Sequence, residues 1–106
     1  MADQILLAIS TFPDAETASR IAQTLVEEKF AACVNLIPGV HSIYRWKEQI
    51  ETASEVIAFF KTTRDRLPAL EEKLRSLHPY EVPELISMNI DSGSPDYLRW
   101  VIDNCR

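Results

Sequence analysis

AACVNLIPGVHSIYRW (residues 31–46) and SEVIAFFKTT (residues 54–63) are two runs rich in β-branched and aromatic residues, joined by a short polar tip, Lys47 to Thr52. They predict an antiparallel pair, Ala31 to Trp46 against Ser54 to Thr63. Strands in globular proteins usually run about five or six residues, so part of this pair must overhang a small protein body. Pro38-Gly39 interrupts the first strand, which argues for an edge position or a bulge. The second is apolar on both faces (Val56, Ala58 and Phe60 against Ile57 and Phe59), so it belongs at the centre of a sheet. A long apolar edge invites aggregation unless it is covered. Closing a ring of copies through that edge covers it, and the hairpin therefore reads as an oligomerisation device.

Upstream, Ile5 to Ile9 is a continuous apolar run, as expected of a central strand, and Thr11-Phe12-Pro13-Asp14 is expected to break it. Asp14 is a ready N-cap with Glu16 in the first turn. Ala18, Ile21, Ala22, Leu25 and Val26 then mark one face of a helix running to about Lys29. Downstream, Asp65 and Pro68 open a second helix with Leu67, Leu70, Leu74 and Leu77 on its stripe. The run from His78 to Glu84 cannot be helical, because Pro79 and Pro83 each push the preceding residue to extended geometry. It feeds a fourth strand, Leu85 to Ile90, with Ile86, Met88 and Ile90 expected inward. Ser94 as N-cap and Pro95 start a last helix that should bury Tyr97, Leu98, Val101 and Ile102. The order βαββαβα, with right-handed crossovers, predicts an α+β fold. It is a ferredoxin-like βαββαβ sandwich with an additional C-terminal helix, and residues 1–106 are expected to form one domain.

Hydrophobic residues make up 46% of the 106 and charged residues 25%, a globular balance that argues against disorder. The formal net charge is -5 with no Lys/Arg cluster on any predicted face, which argues against nucleic acid and against an anionic membrane surface. No apolar run approaches the ~20 residues of a membrane span. Met1-Ala2-Asp3-Gln4, followed by the short run Ile5 to Ile9, does not read as a secretory leader. Two cysteines, Cys33 and Cys105, are too few for a disulfide framework, so a reduced, cytoplasmic location is expected. Gly39 and Gly93 are the only glycines, which excludes a Gly-rich phosphate loop, and HExxH, CxxC and GxSxG are all absent. No enzyme is expected.

Five co-linear stretches form a specific pattern: Ala31-Ala32-Cys33-Val34-Asn35, Ser42-Ile43-Tyr44-Arg45-Trp46, Phe60-Lys61-Thr62, His78 to Glu84, and Asp96-Tyr97-Leu98-Arg99-Trp100. In these the chain resembles the CutA divalent-cation-tolerance family over nearly its whole length. The resemblance implies a ferredoxin-like protomer in a tight homotrimer, built like the PII-type signal proteins, and a role linked to copper and other divalent cations. Some relatives have anchoring or assembly roles, which leaves a partner protein as an alternative. Members proposed to bind copper carry a cysteine where this chain has Ser10, and a His-His pair where it has Leu77-His78. Of that set only His78 remains.

His78 is accordingly the first metal candidate, since neutral imidazole suits copper, zinc and nickel; as a loop histidine it can instead cap the preceding helix. Glu81 and Glu84 lie near it in an extended segment, where a carboxylate can complete a mixed site or simply face water. Cys33 is a soft ligand in principle and a small buried hydrophobe in the ordinary case. The expected metal set is thus His78, Glu81 and Cys33. Asn35, Trp46, Glu48, Lys61, Tyr80 and Glu84 are a second constellation, which the resemblance places around a cleft between subunits. There the aromatics supply walls and Lys61 can anchor a small anionic ligand, in a PII-like signalling or scaffold trimer. These same residues can equally lock a trimer interface.

Overall fold

Phe12, Ile21, Leu25, Phe60, Leu70 and Leu74, from four different elements, meet in one buried core. The computed structural model describes residues 4–106, so residues 1–3, with which the leader expectation begins, lie outside the described residues. Its elements are β1 (Ile5–Phe12), α1 (Ala15–Glu27), β2 (Cys33–Trp46), β3 (Gln49–Thr63), α2 (Leu67–Leu77), β4 (Ile86–Asn89) and α3 (Pro95–Asp103). The four strands form one antiparallel sheet in the order β2-β3-β1-β4. This is the α+β, ferredoxin-like arrangement that the element order predicts, with β2 on an edge and β3 inside.

The helices α1 and α2 cover one face of the sheet. Ala8 and Phe12 of β1, and Val56, Ala58 and Phe60 of β3, alternate onto that face and fill the core. Asp14 caps α1, its Oδ1 accepting from the Thr17 N–H at 2.7 Å. The helix ends two residues before the expected Lys29, which instead takes φ 63 and closes the terminus. There the Lys29 N–H bonds the Val26 carbonyl and the Phe30 N–H bonds the Leu25 carbonyl.

The opposite face is only partly covered. Val101 of the C-terminal helix α3 and Cys105 just beyond it pack against Ile5 and Ala32 at one end, with Leu98, Ile102 and Ile90 around them. Tyr97, expected inside, is exposed beside Trp100. Further along this face Ile37, Ile86 and Met88 are exposed. The inward reading of Ile86 and Met88 is therefore corrected. They pair with Ile9 and Leu7, which share the face that α1 and α2 do not cover.

Two strand boundaries also move. β1 does not break at Thr11, since Thr11 and Phe12 continue the ladder opposite Ile57 and Val56, and Phe12 is wholly buried. The expected six-residue tip of the hairpin shrinks to Lys47 and Glu48, at φ 50 and 67, with Trp46 already paired to Gln49. Two successive left-handed residues make a primed turn that follows the strand twist. The hairpin thus overhangs further than expected, and the chain measures 46 × 25 × 23 Å. At Pro38-Gly39 the register shifts between Ile37 and Val40, a bulge with Gly39 at φ 76.

Candidate functional site

Where α2 ends, Pro79 holds His78 in extended geometry (φ -75, ψ 135). Its ring turns inward, stacks on Phe12 at 4.7 Å between centroids, and is only 8% exposed. Nε2 lies 2.7 Å from the Thr11 carbonyl, and Nδ1 accepts the Tyr80 backbone N–H at 3.1 Å. A nitrogen that accepts from an N–H carries no proton, so Nε2 is the protonated one and donates to Thr11. Burial holds the imidazole below its ordinary pKa, against the opposing pull of the Thr11 carbonyl and the Glu55 charge. His78 is thus a neutral strut between β1 and the loop that follows it.

Tyr80, two residues on, tilts against the His78 ring and donates its hydroxyl to Glu55 Oε2 at 2.6 Å. Burial first, and then the bond to Glu55, push the phenol well above its usual range. Glu55 opens the apolar part of β3 and is only 8% exposed. It faces a cavity of about 570 Å³ on the side of the sheet that the helices leave open. Thr11 and Glu55 lie at the base of this cleft, Ser42, Tyr44 and Trp46 line it from the hairpin arm, and Tyr80, Val82 and Glu84 line it from the loop. Burial and then the nearby Glu55 charge raise the Glu84 pKa. Among the described residues the ion pairs are Lys73 with Glu28 and Arg75 with Glu71, so none of the cleft carboxylates Glu55, Glu81 and Glu84 has a basic partner there.

The expected residues divide between two places. Trp46, Tyr80, Glu81 and Glu84 line the cleft. Asn35 and Lys61 bond each other at 2.6 Å, with Cys33 Sγ 4.0 Å from the Lys61 ammonium and the Tyr97 ring 5.9 Å from it. Glu48 sits in the exposed hairpin turn. The set His78, Glu81 and Cys33 is not brought together, and among the described residues no group of three His, Cys, Asp or Glu side chains can hold a metal ion. Both His78 nitrogens are already engaged. Ser10 is buried with its hydroxyl unpaired among the described residues. It alternates with Thr11 and so points away from the cleft.

Glu55, Thr11 and Tyr44 were not among the sequence candidates. Glu55 did leave a signal, a lone carboxylate in register with Ile57 and Phe59 at the start of an apolar strand. What these groups can do together is hold positive charge, with oxygen acceptors at the base and aromatic faces at the sides.

A family model described as CutA1 divalent ion tolerance protein matches residues 6–104. The divalent-cation tolerance protein CutA of Thermus thermophilus is 43% identical over 98 residues, covering 92% of this chain and 95% of that one. Protein CutA of Mus musculus is 50% identical over 94 residues, covering 89% of this chain, which spans about half (53%) of the mouse protein's length. A crystal structure of CutA from Xylella fastidiosa superposes with a TM-score of 0.93 at 39% identity, covering 96% of this chain and 98% of that one. The family model and the Thermus relative are named for divalent-cation tolerance, and none of these names states a reaction. No described helix is long and apolar enough to cross a membrane.

Proposed function

The chain belongs to the CutA1 divalent ion tolerance family, and from that premise we propose that it works as a homotrimer whose clefts hold divalent cations, copper first. The observation that carries this reading is that Glu55 and Glu84 face one cavity with no basic partner among the described residues. A buried carboxylate without a counter-charge is costly, and a bound cation removes that cost together with the repulsion between the two. The donors are oxygens, which suit hard and borderline ions, and among first-row divalent ions Cu(II) binds such sets most tightly. Carboxylates that do not converge on one point make a weak site, and a neighbouring copy is the natural source of further ligands.

Trimerisation is supported by the uncovered apolar residues Ile37, Ile86 and Met88 and by the long edge strand β2. The free thiols of Cys33 and Cys105 support a reducing, cytosolic setting. The cleft's charge favours a cation over the small anion considered for it, since Lys61 is engaged with Asn35. In this reading His78 holds the loop in place and is not a ligand.

Calorimetry with Cu(II) in a weakly competing buffer tests the site. Saturable binding is expected, abolished by Glu55→Gln with Glu84→Gln together and only weakened by His78→Ala. Loss of binding in His78→Ala with binding intact in the double variant would reverse the assignment. Light scattering at micromolar concentration should give three times the protomer mass of 12.1 kDa, and a protomer mass would sink the trimer.

A further inference from the structure

We infer that the cleft between the hairpin arm and the 78–85 loop is also a receptor for a small organic ammonium ion, its charged head against Glu55 and Glu84 and its alkyl part against Val82. The inference rests on the reading of this cleft as a cation site and goes beyond it in the class of ligand. Three observations carry it. The cavity, at about 570 Å³ in the single protomer, is far larger than a bare ion needs and falls within the roughly 300–1,000 Å³ range of small-molecule sites. Its walls are aromatic on two sides, with Tyr44 and Trp46 from the arm and Tyr80 from the loop. Such rings attract a cation through their faces but offer a metal ion little.

The third observation is the fixed state of Glu55. It is only 8% exposed, and its hydrogen bond from Tyr80 occupies Oε2. Oε1 is left to accept from a ligand N–H. A metal ion needs several donors converging on one point, and among the described residues no three acidic, imidazole or thiol groups do so. An ammonium group needs only acceptors at hydrogen-bond distance and a low-dielectric wall. The protomer supplies both.

The test is a set of separate calorimetric titrations of the full chain with n-butylammonium, with 1-butanol as a neutral probe of the same length, and with Cu(II). Saturable binding of butylammonium without binding of butanol is expected. Glu55→Gln should weaken it by at least about tenfold, since a charge-assisted bond becomes a neutral one. Glu84→Gln, at an exposed position, should weaken it without risk to the fold. Failure of butylammonium to bind overturns the inference, as does equal binding of butanol or binding unchanged in both variants. Cu(II) binding without butylammonium binding would leave the divalent-cation reading standing and remove this one. Butylammonium binding without Cu(II) binding would do the reverse.

Discussion

The two faces of the sheet are built from the same kinds of residue and meet different fates. On the helix side Phe60, Val56 and Phe12 are buried within the protomer. On the other side Ile86 and Met88 stand half exposed, at 56% and 50%, although their side chains are as apolar. Apolar character therefore records that a residue is to be covered, not by what. Covering the first face is a matter of folding; covering the second falls to assembly in the proposed trimer.

The comparison breaks most readily through paired variants. Phe60→Ala should cost about 3–5 kcal/mol of unfolding free energy, the usual range for an emptied core aromatic. Ile86→Lys should leave the folded protomer almost unchanged and instead dissociate the proposed trimer, as seen by light scattering with retained circular dichroism. If Ile86→Lys unfolds the isolated protomer as severely as Phe60→Ala does, the distinction between the faces is wrong.

A smaller effect sits at His78, which ties the helix-side core to the cleft. Burial lowers its folded pKa below the ordinary 6.5. The unfolded chain therefore binds a proton that the folded chain does not. Its contribution is complete above about pH 6.5 and is lost as pH falls from there toward the folded value. Denaturant midpoints measured at about pH 7.5 and pH 5 should fall more steeply in wild type than in His78→Gln, which cannot take up that proton. Equal slopes would mean that the ring takes up its proton alike in the folded and unfolded chain. Replacing it should cost about 1–3 kcal/mol at neutral pH, as for other buried hydrogen-bonded groups.

The smallest effect is expected at the hairpin tip. Lys47→Asn with Glu48→Gly places residues suited to positive φ where ordinary ones now stand. It should add about 0.5–1 kcal/mol, read as a higher urea midpoint with unchanged mass. A fall in stability would show that the Lys47 ammonium over the Trp46 ring, 5.6 Å from its centroid, or a contact in the proposed trimer outweighs the turn preference.

These contrasts mark what could be read from the chain. The helices were legible because Ala18, Ile21, Leu25, Leu70 and Leu74 recur at helical spacing and nothing competes with the pattern. The edge place of β2 followed from Pro38. The turn was missed because Lys-Glu lacks the Asn-Gly signature, so residues 49–52, polar but for Ile50, looked like loop when they are paired strand. Ile86 and Met88 were assigned to the wrong face because alternation gives the period and not the side that helices cover. The cleft escaped for a different reason. Thr11, Tyr44, Glu55 and Tyr80 come from four separate segments, and only the register of the sheet brings them together. Tyr80, Glu84 and Trp46 were found through the family pattern, whereas Glu55 required the fold.

The bulge at Pro38-Gly39 has a consequence for which side chains the arm presents. Before it, odd-numbered residues of β2 share the face of Ile57; after it, Val40 stands opposite Glu55, and the even-numbered Ser42, Tyr44 and Trp46 take that face. One surplus residue acts as a parity bit for everything distal to it. Without it, His41, Ile43 and Arg45 would face Glu55, and a basic side chain would stand where the rings now are. The chemistry at the far end of the hairpin is thus encoded by chain length at its middle, in two residues that touch no ligand.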